Sequence, residues 1–245
     1  MTKRNRLTIS IIAAIILLAC ACPATSLPAI NDQPAATSIP VLPTQPEIPT
    51  ATPQPTNILL SDDFSVESSE METFTDESGS AETKDGAYIV RSISELWNWG
   101  RSDSEFSDTV IEFDATITVS PANNNAGAGL VCRMQVRDDS SIDGYLLAIS
   151  GDGFYSIRSI TSSSMSPLVD WTYSDTIHQG SQENKIRATC NGSELKLEVN
   201  GELLATASAD TSGPQSGGFA FAAVSFETSE PIAEVHFDNL VVSKP

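Results

Sequence analysis

Along residues 127–160 apolar and polar positions alternate in three short runs, broken by DDSSIDG and by SGDG. Runs of that length between Gly, Asp and Ser clusters predict three consecutive antiparallel strands joined by tight turns. In the first run Leu130, Cys132, Met134 and Val136 share one face. Val131, Arg133, Gln135 and Arg137 take the other, because successive side chains of a strand point to opposite sides. One face of this sheet belongs in a core, and the other is open to something else.

The same period of two recurs through most of the chain after residue 58. ILLSDDFS reads as an edge strand leading into an acidic segment, residues 66–85, taken as mostly loop. GAYIVRS is the next strand, and SELWNWGRSD then sets two tryptophans in polar surroundings. DTVIEFDATITVS alternates most clearly, with Ile111, Phe113, Ala115, Ile117 and Val119 opposite Glu112, Asp114, Thr116 and Thr118. After the three central strands comes an irregular Ser-rich passage holding SPLVDWTYSD, then a strand over 184–190. ELKLEV-NG-ELLAT is a hairpin signal, since Asn200-Gly201 suits a type I′ turn whose central residues both need φ > 0. GGFAFAAVSFE and AEVHFDNLVVS complete the series. No dozen residues show a helical period, so eleven or twelve strands predict an all-β fold, a two-sheet antiparallel sandwich.

The first 57 residues obey a different logic. Lys3, Arg4 and Arg6 precede an apolar run over about 7–19, shorter than the roughly 20 residues that span a bilayer. Leu17-Leu18-Ala19-Cys20 resembles a bacterial lipobox, which implies a lipoprotein signal peptide within residues 1–22 and lipidation of Cys20. Cys22 lacks the branched aliphatic residue three positions upstream. Residues 23–57 hold nine of the fourteen prolines among Thr, Ala, Ser and Gln. Such a segment forms an extended tether, at about 3 Å per residue on the order of 100 Å long. The domain order is thus signal peptide and lipidation site (1–22), flexible Pro/Thr linker (23–57) and β-sandwich (58–245), displayed at the cell-envelope surface.

Charge narrows the partners. Loss of the leader would leave ten basic residues against 32 acidic ones, a net −22. That balance disfavours nucleic acid, which requires clustered Lys and Arg, and leaves membrane contact to the lipid anchor alone. Cys132 and Cys190 share parity with inward apolar neighbours, which makes them candidates for a disulfide outside the cytosol or else two buried thiols.

Several phrases together resemble the concanavalin A-like lectin/glucanase superfamily, with laminin-G-like and 3-keto-disaccharide hydrolase-like domains nearest. They are Asp62-Asp63-Phe64, Phe106-Ser107-Asp108 running into 110–115, and Gly129 to Arg133. Gly144-Tyr145, residues 151–155, Asn184 to Arg187, Val199-Asn200-Gly201 and residues 237–242 follow in order. The resemblance implies a jelly roll of two curved sheets with a concave face. That fold carries lectins, hydrolases and adhesion modules alike, so function rests on the residues.

Those residues favour binding over catalysis. A glycosidase needs two carboxylates flanking the bond, about 5–5.5 Å apart for retention. The nearest match, Glu112-Phe113-Asp114, has Ile117 where laminarinase-type relatives carry a third acid, so no catalytic residue is assigned. His178 and His236 offer no paired zinc motif. Calcium is the one cofactor with candidate ligands, Asp63 and Asp238 beside Asp62 and Asn239, should the first and last strands pair. Trp97, Trp99, Trp171, Tyr145, Tyr155 and Tyr173 could stack on sugar faces, with Arg133 and Arg137 donating to hydroxyls. The expectation is a non-catalytic module that binds carbohydrate or another extracellular polymer. A glycoside hydrolase of the same fold and an envelope adhesion module are the competing readings.

Overall fold

The alternation of residues 109–119 is realised as a long central strand, buried on its apolar side against a second sheet. In the computed structural model, which describes residues 57–68 and 70–245, fifteen strands and no helix form among the described residues. The expected signal peptide, Cys20 and, apart from Asn57, the tether lie outside them.

In chain order the strands are β1 (Ile58–Asp62), β2 (Phe74–Asp76), β3 (Gly79–Lys84), β4 (Ala87–Ser92) and β5 (Asn98–Arg101). Then come β6 (Thr109–Val119), β7 (Ala126–Val136), β8 (Ile142–Ser150), β9 (Phe154–Thr161) and β10 (Ser164–Tyr173). The last are β11 (Asn184–Asn191), β12 (Glu194–Val199), β13 (Glu202–Ser208), β14 (Gly218–Ser225) and β15 (Ala233–Ser243). One sheet has nine strands in the order β13-β12-β11-β6-β15-β4-β3-β2, with β1 also paired to β15. The other has six, in the order β10-β9-β8-β7-β14-β5. Both are antiparallel throughout.

The expected three-strand block is β7-β8-β9, paired in sequence. The Asn200-Gly201 turn closes β12 onto β13, with φ of 51° and 84°. Between the sheets, Ile111, Phe113, Ala115 and Ile117 of β6 meet Leu130, Leu147, Ile149 and Phe221 in a continuous core. Its centre is aromatic, with Phe221 stacked on Phe237 at 4.2 Å and edge-on to Phe113 at 5.0 Å. Such pairs contribute about 0.5–1.5 kcal/mol each beyond area burial. Cys132 of β7 and Cys190 of β11 form a disulfide that joins the two sheets, with a Cα–Cα distance of 6.7 Å.

Four strands escape the sequence pattern: β2, β3, β5 and β10. Residues 66–85, expected to be loop, contain the β2–β3 hairpin, whose turn is held by Asp76 Oδ1 accepting from Ser78 N at 2.7 Å. β5 and β10 are the two edges of the six-stranded sheet. An edge strand is paired on one side only and tolerates irregularity, such as Pro167 and the two register shifts of β10.

The alternation expected for β7 also fails at its end. A bulge lies between Cys132 and Gln135 opposite β8, with Arg133 at φ 51°. An inserted residue resets the parity of everything after it. Cys132 faces the core as expected, but Met134 joins Val131 on the opposite face. Arg133 leaves the open face altogether, its side chain only 1% exposed. Its guanidinium donates to Ser107 O at 2.9 Å, Gly192 O at 2.8 Å and Asp108 Oδ1 at 2.8 Å. Beside the bulge, a Cβ on Gly217 (φ 155°) would lie 2.4 Å from Met134 O, so only glycine lets β14 begin there.

Candidate functional site

The face of the six-stranded sheet turned away from the core was expected to be open, with Arg133 and Arg137 on it. Its middle is apolar instead, a second cluster of Val131, Met134, Leu146, Ala148, Ala220 and Ala222. One row runs straight across the strands: Trp99 pairs with Ala222, Ala222 with Gly129, Gly129 with Ala148, and Ala148 with Ser156. Small side chains make the floor low. A Cβ on Gly129 would come within 2.9 Å of Leu146 Cδ1 and 3.0 Å of Ala148 Cβ.

Four half-buried rings lie over this floor. Trp97 stacks on Trp99 at 5.8 Å and 15°, and meets Phe226 edge-on at 5.8 Å and 78°. Phe226 in turn meets Trp171 edge-on at 5.5 Å and 77°. The series runs from β5 to β10, the two edges of the sheet. Gly127 fixes where Trp97 lies, since a Cβ there would stand 2.8 Å from the indole Cη2 and 3.1 Å from the Phe226 ring. At the Trp171 end is a cavity of about 350 Å³ lined by Asn125, Ser150, Asp152, Phe154, Trp171 and Phe226. Nearby on β9, Arg158 Nη1 lies 4.0 Å from Asp170 Oδ1. Glu227 accepts from Asn123 Nδ2 at 2.7 Å and Asn125 Nδ2 at 2.8 Å. The Asn125 bond, then that from Asn123, holds the Glu227 carboxyl below its ordinary range.

Of the residues singled out in the sequence, the structure brings together Trp97, Trp99 and Trp171. Arg133 is withdrawn by the bulge. Tyr145 is also displaced from the open face, being 1% exposed in the core with its hydroxyl donating to Asp210 O at 3.2 Å. Burial pushes its phenol up. Tyr155 packs half-buried against the core. Tyr173 is 53% exposed, edge-on to Phe154 at 5.6 Å, and its hydroxyl accepts from Gln179 Nε2 at 3.2 Å. Arg137 stands just past β7, ion-paired at 2.5 Å with Asp143, and the hydrogen bond between them raises one and lowers the other. It borders a separate cavity of about 410 Å³ with Tyr145 and Asp210. A further cavity, about 550 Å³, is lined by Met134, Gln135 and residues 216–219, and its Glu72 and Arg101 are tied to each other at 2.6 Å.

Phe226, Phe154, Asp152 and Asn125 were missed. Phe226 reads as the last residue of an apolar strand, Asp152 as turn chemistry in SGDG, and Asn125 as loop. Glu112 and Asp114 lie on the outer side of the nine-stranded sheet, against Arg187 at 3.4 Å and Lys185 at 3.2 Å. Each is therefore partnered, Glu112 at the surface and Asp114 buried with a further bond from Asn239 Nδ2 at 2.9 Å. β1 and β15 do pair, with Asp62 opposite Leu240. Asp62, Asp63 and Asn239 line one cavity of about 390 Å³, in which Asp63 Oδ1 accepts from Ser65 Oγ at 2.7 Å, while Asp238 Oδ1 accepts from Asn239 N at 2.6 Å. Among the described residues, no three His, Cys, Asp or Glu are grouped to hold a metal ion. His236 is 3.0 Å from Glu234, and His178 Nδ1 is 2.8 Å from Glu183 O, in separate places.

Two stacked antiparallel sheets with this strand order make a jelly-roll β-sandwich. The sandwich is similar to a Bacillus subtilis protein of unknown function with a galectin-like fold, with TM-score 0.53, 12% identity, and coverage of 77% of this chain and 96% of that one. It is also similar to a LamA variant from Z. galactanivorans in complex with laminaritriose and laminaritetraose, with TM-score 0.52, 10% identity, and coverage of 77% and 99%. A third likeness is to a family 7 alginate lyase A1-II′ variant with its product, with TM-score 0.51, 11% identity, and coverage of 70% and 85%. Identity that low carries the fold alone. The sequence matches no protein-family model and no curated protein.

Proposed function

We propose that the protein is a lipid-anchored, surface-displayed binding module that holds a polysaccharide or similar extracellular polymer across the open face of its six-stranded sheet. One observation carries this reading: four rings, Trp99, Trp97, Phe226 and Trp171, in unbroken contact from one edge of the sheet to the other. A polymer needs a line of apolar surface at the spacing of its repeat, and sugar rings present flat C–H faces suited to aromatic planes. Arg158, Asp170 and Asn125 lie close enough to that line to serve hydroxyl groups. That proteins of the same fold are solved with laminari-oligosaccharides and with an alginate-lyase product supports a polysaccharide partner. The Glu112–Asp114 pair, neutralised by Lys185 and Arg187 on the other sheet, gives a hydrolytic reading no site on this face.

The test is a glycan array probed with the full chain, followed by titration of the best ligand into Trp99→Ala and Trp171→Ala. Losing one stacking ring should weaken binding by about three- to tenfold, equivalent to roughly 0.5–1.5 kcal/mol. Turnover of a sugar substrate, or wild-type affinity in both variants, would reverse the proposal. Metabolic labelling with a radioactive fatty acid tests the anchor: label incorporated by the wild type must be absent from Cys20→Ser.

A further inference from the structure

The cavity at the Trp171 end has a chemical bias that the rest of the groove lacks. Its walls are aromatic, since Phe226 and Trp171 stand at 77° to each other and Phe154 closes a further side. Its polar groups are acceptors. Ser150 Oγ donates its proton to Asp152 Oδ1 and accepts from Phe154 N at 3.0 Å, so the hydroxyl has no donor left. Asn125 turns Nδ2 to Glu227 at 2.8 Å, and its Oδ1 accepts no hydrogen bond among the described residues. The carboxylate of Asp152 takes part in no ion pair among the described residues. Arg158, the basic group near this end of the groove, is engaged with Asp170 instead.

A pocket with an unpaired carboxylate, a spare carbonyl acceptor and π faces repels an anion and leaves a neutral hydroxyl under-used. An ammonium group answers it fully, with three donors, no acceptor and a positive charge that ring faces attract. We infer that this cavity selects a protonated amine on the bound polymer, so that the preferred ligand is an amino sugar chain with free amines rather than a neutral or uronic-acid chain. The inference rests on the polymer-binding reading and names the substrate class at one end of that groove. The chain's formal charge of −19 favours the same partner by drawing cations toward the surface.

The experiment titrates the full chain, at mildly acidic pH, with glucosamine oligomers and with the same oligomers N-acetylated, following tryptophan fluorescence. The free-amine form should bind about tenfold more tightly, and added salt should narrow the gap. Asp152→Asn keeps an acceptor for Ser150 but removes the charge, and should bring the two forms to within about twofold. Trp171→Leu removes a wall, keeps the charge, and should weaken both forms. Equal binding of the two oligomers to the wild type overturns the amine preference while leaving polymer binding intact, and a preference that survives Asp152→Asn overturns its assignment to this cavity. If neither oligomer binds, methylammonium, which keeps three N–H donors, separates the two ideas. Quenching that Asp152→Asn abolishes retains the cation site without the polymer, and no quenching overturns it.

Discussion

Replacing Arg133 by Met should destabilise the sandwich more than any other single change near the open face. The guanidinium is 1% exposed and has three acceptors, Ser107 O, Gly192 O and Asp108 Oδ1, all within 2.9 Å. Methionine keeps the apolar stem and removes the donors. Asp108 is 49% exposed, so water re-solvates its charge and the ion pair itself contributes little. The loss lies in the two carbonyls, each costing about 1–3 kcal/mol when left without a donor. Together they give about 3 kcal/mol, which in a domain of this size lowers Tm by about 6–12 °C. Urea unfolding of the full chain measures it as a shifted midpoint at constant m. Asp108→Asn should cost about 1 kcal/mol or less, because Oδ1 can still accept from Gly192 N at 2.9 Å. Near-UV circular dichroism reports the second consequence, since the bulge puts Val131 and Met134 beneath the tryptophans. An Arg133→Met variant within about 0.5 kcal/mol of wild type, or an Asp108→Asn variant just as damaged, would refute the claim that the carbonyls hold the bulge.

Cys132→Ala with Cys190→Ala should lose about 2–4 kcal/mol, since the bridge closes a separation of 58 residues, and reductant should destabilise the wild type but not the double variant. Gly129→Val should cost about 1–3 kcal/mol by overpacking against Leu146, Leu147 O and Ala148, whereas Gly127→Ala should mainly displace the Trp97 indole and shift tryptophan emission. Asp143, lowered chiefly by its bond to Arg137, and Glu227, lowered by Asn125 and Asn123, have folded values below their unfolded ones. Their stabilisation is therefore present above the unfolded value and fades as pH falls through the folded one. Thermal stability should hold from neutrality to about pH 5 and decline below about pH 4, less steeply in Asp143→Asn. A decline already under way above about pH 6 would contradict this assignment.

The parts of the fold legible in the sequence are those where one rule acts alone. β6 is legible because Ile111, Phe113, Ala115 and Ile117 all face the core, although Asp114 on the other side is buried and Val119, expected inward, is exposed. Asn200-Gly201 has the residues its turn demands. The cysteine pair agrees with parity because Cys132 lies before the bulge that breaks it. Arg133 misled because a bulge leaves no mark in residue type, and an arginine at φ 51° looks like any other polar strand position. Tyr145 misled because β8 is buried on both faces, so that IDGYLLAIS carries no alternation to read. Of the site, the three tryptophans were legible as large rings in polar company. Phe226 and Asp152 were not, because nothing local distinguishes a ring or carboxylate that faces a cavity from one that ends a strand or makes a turn.

The strand at the middle of the larger sheet follows the other fourteen described strands along the chain. β15 lies between β6 and β4 and pairs with β1, so that Ile58 sits opposite Ser243. A ribosome that has not yet released residues 233–243 holds a polypeptide whose earlier segments have no middle to assemble around. Partners so distant along the chain close slowly, and the nascent domain stays soft, and so easy to thread or to degrade, until those residues have emerged.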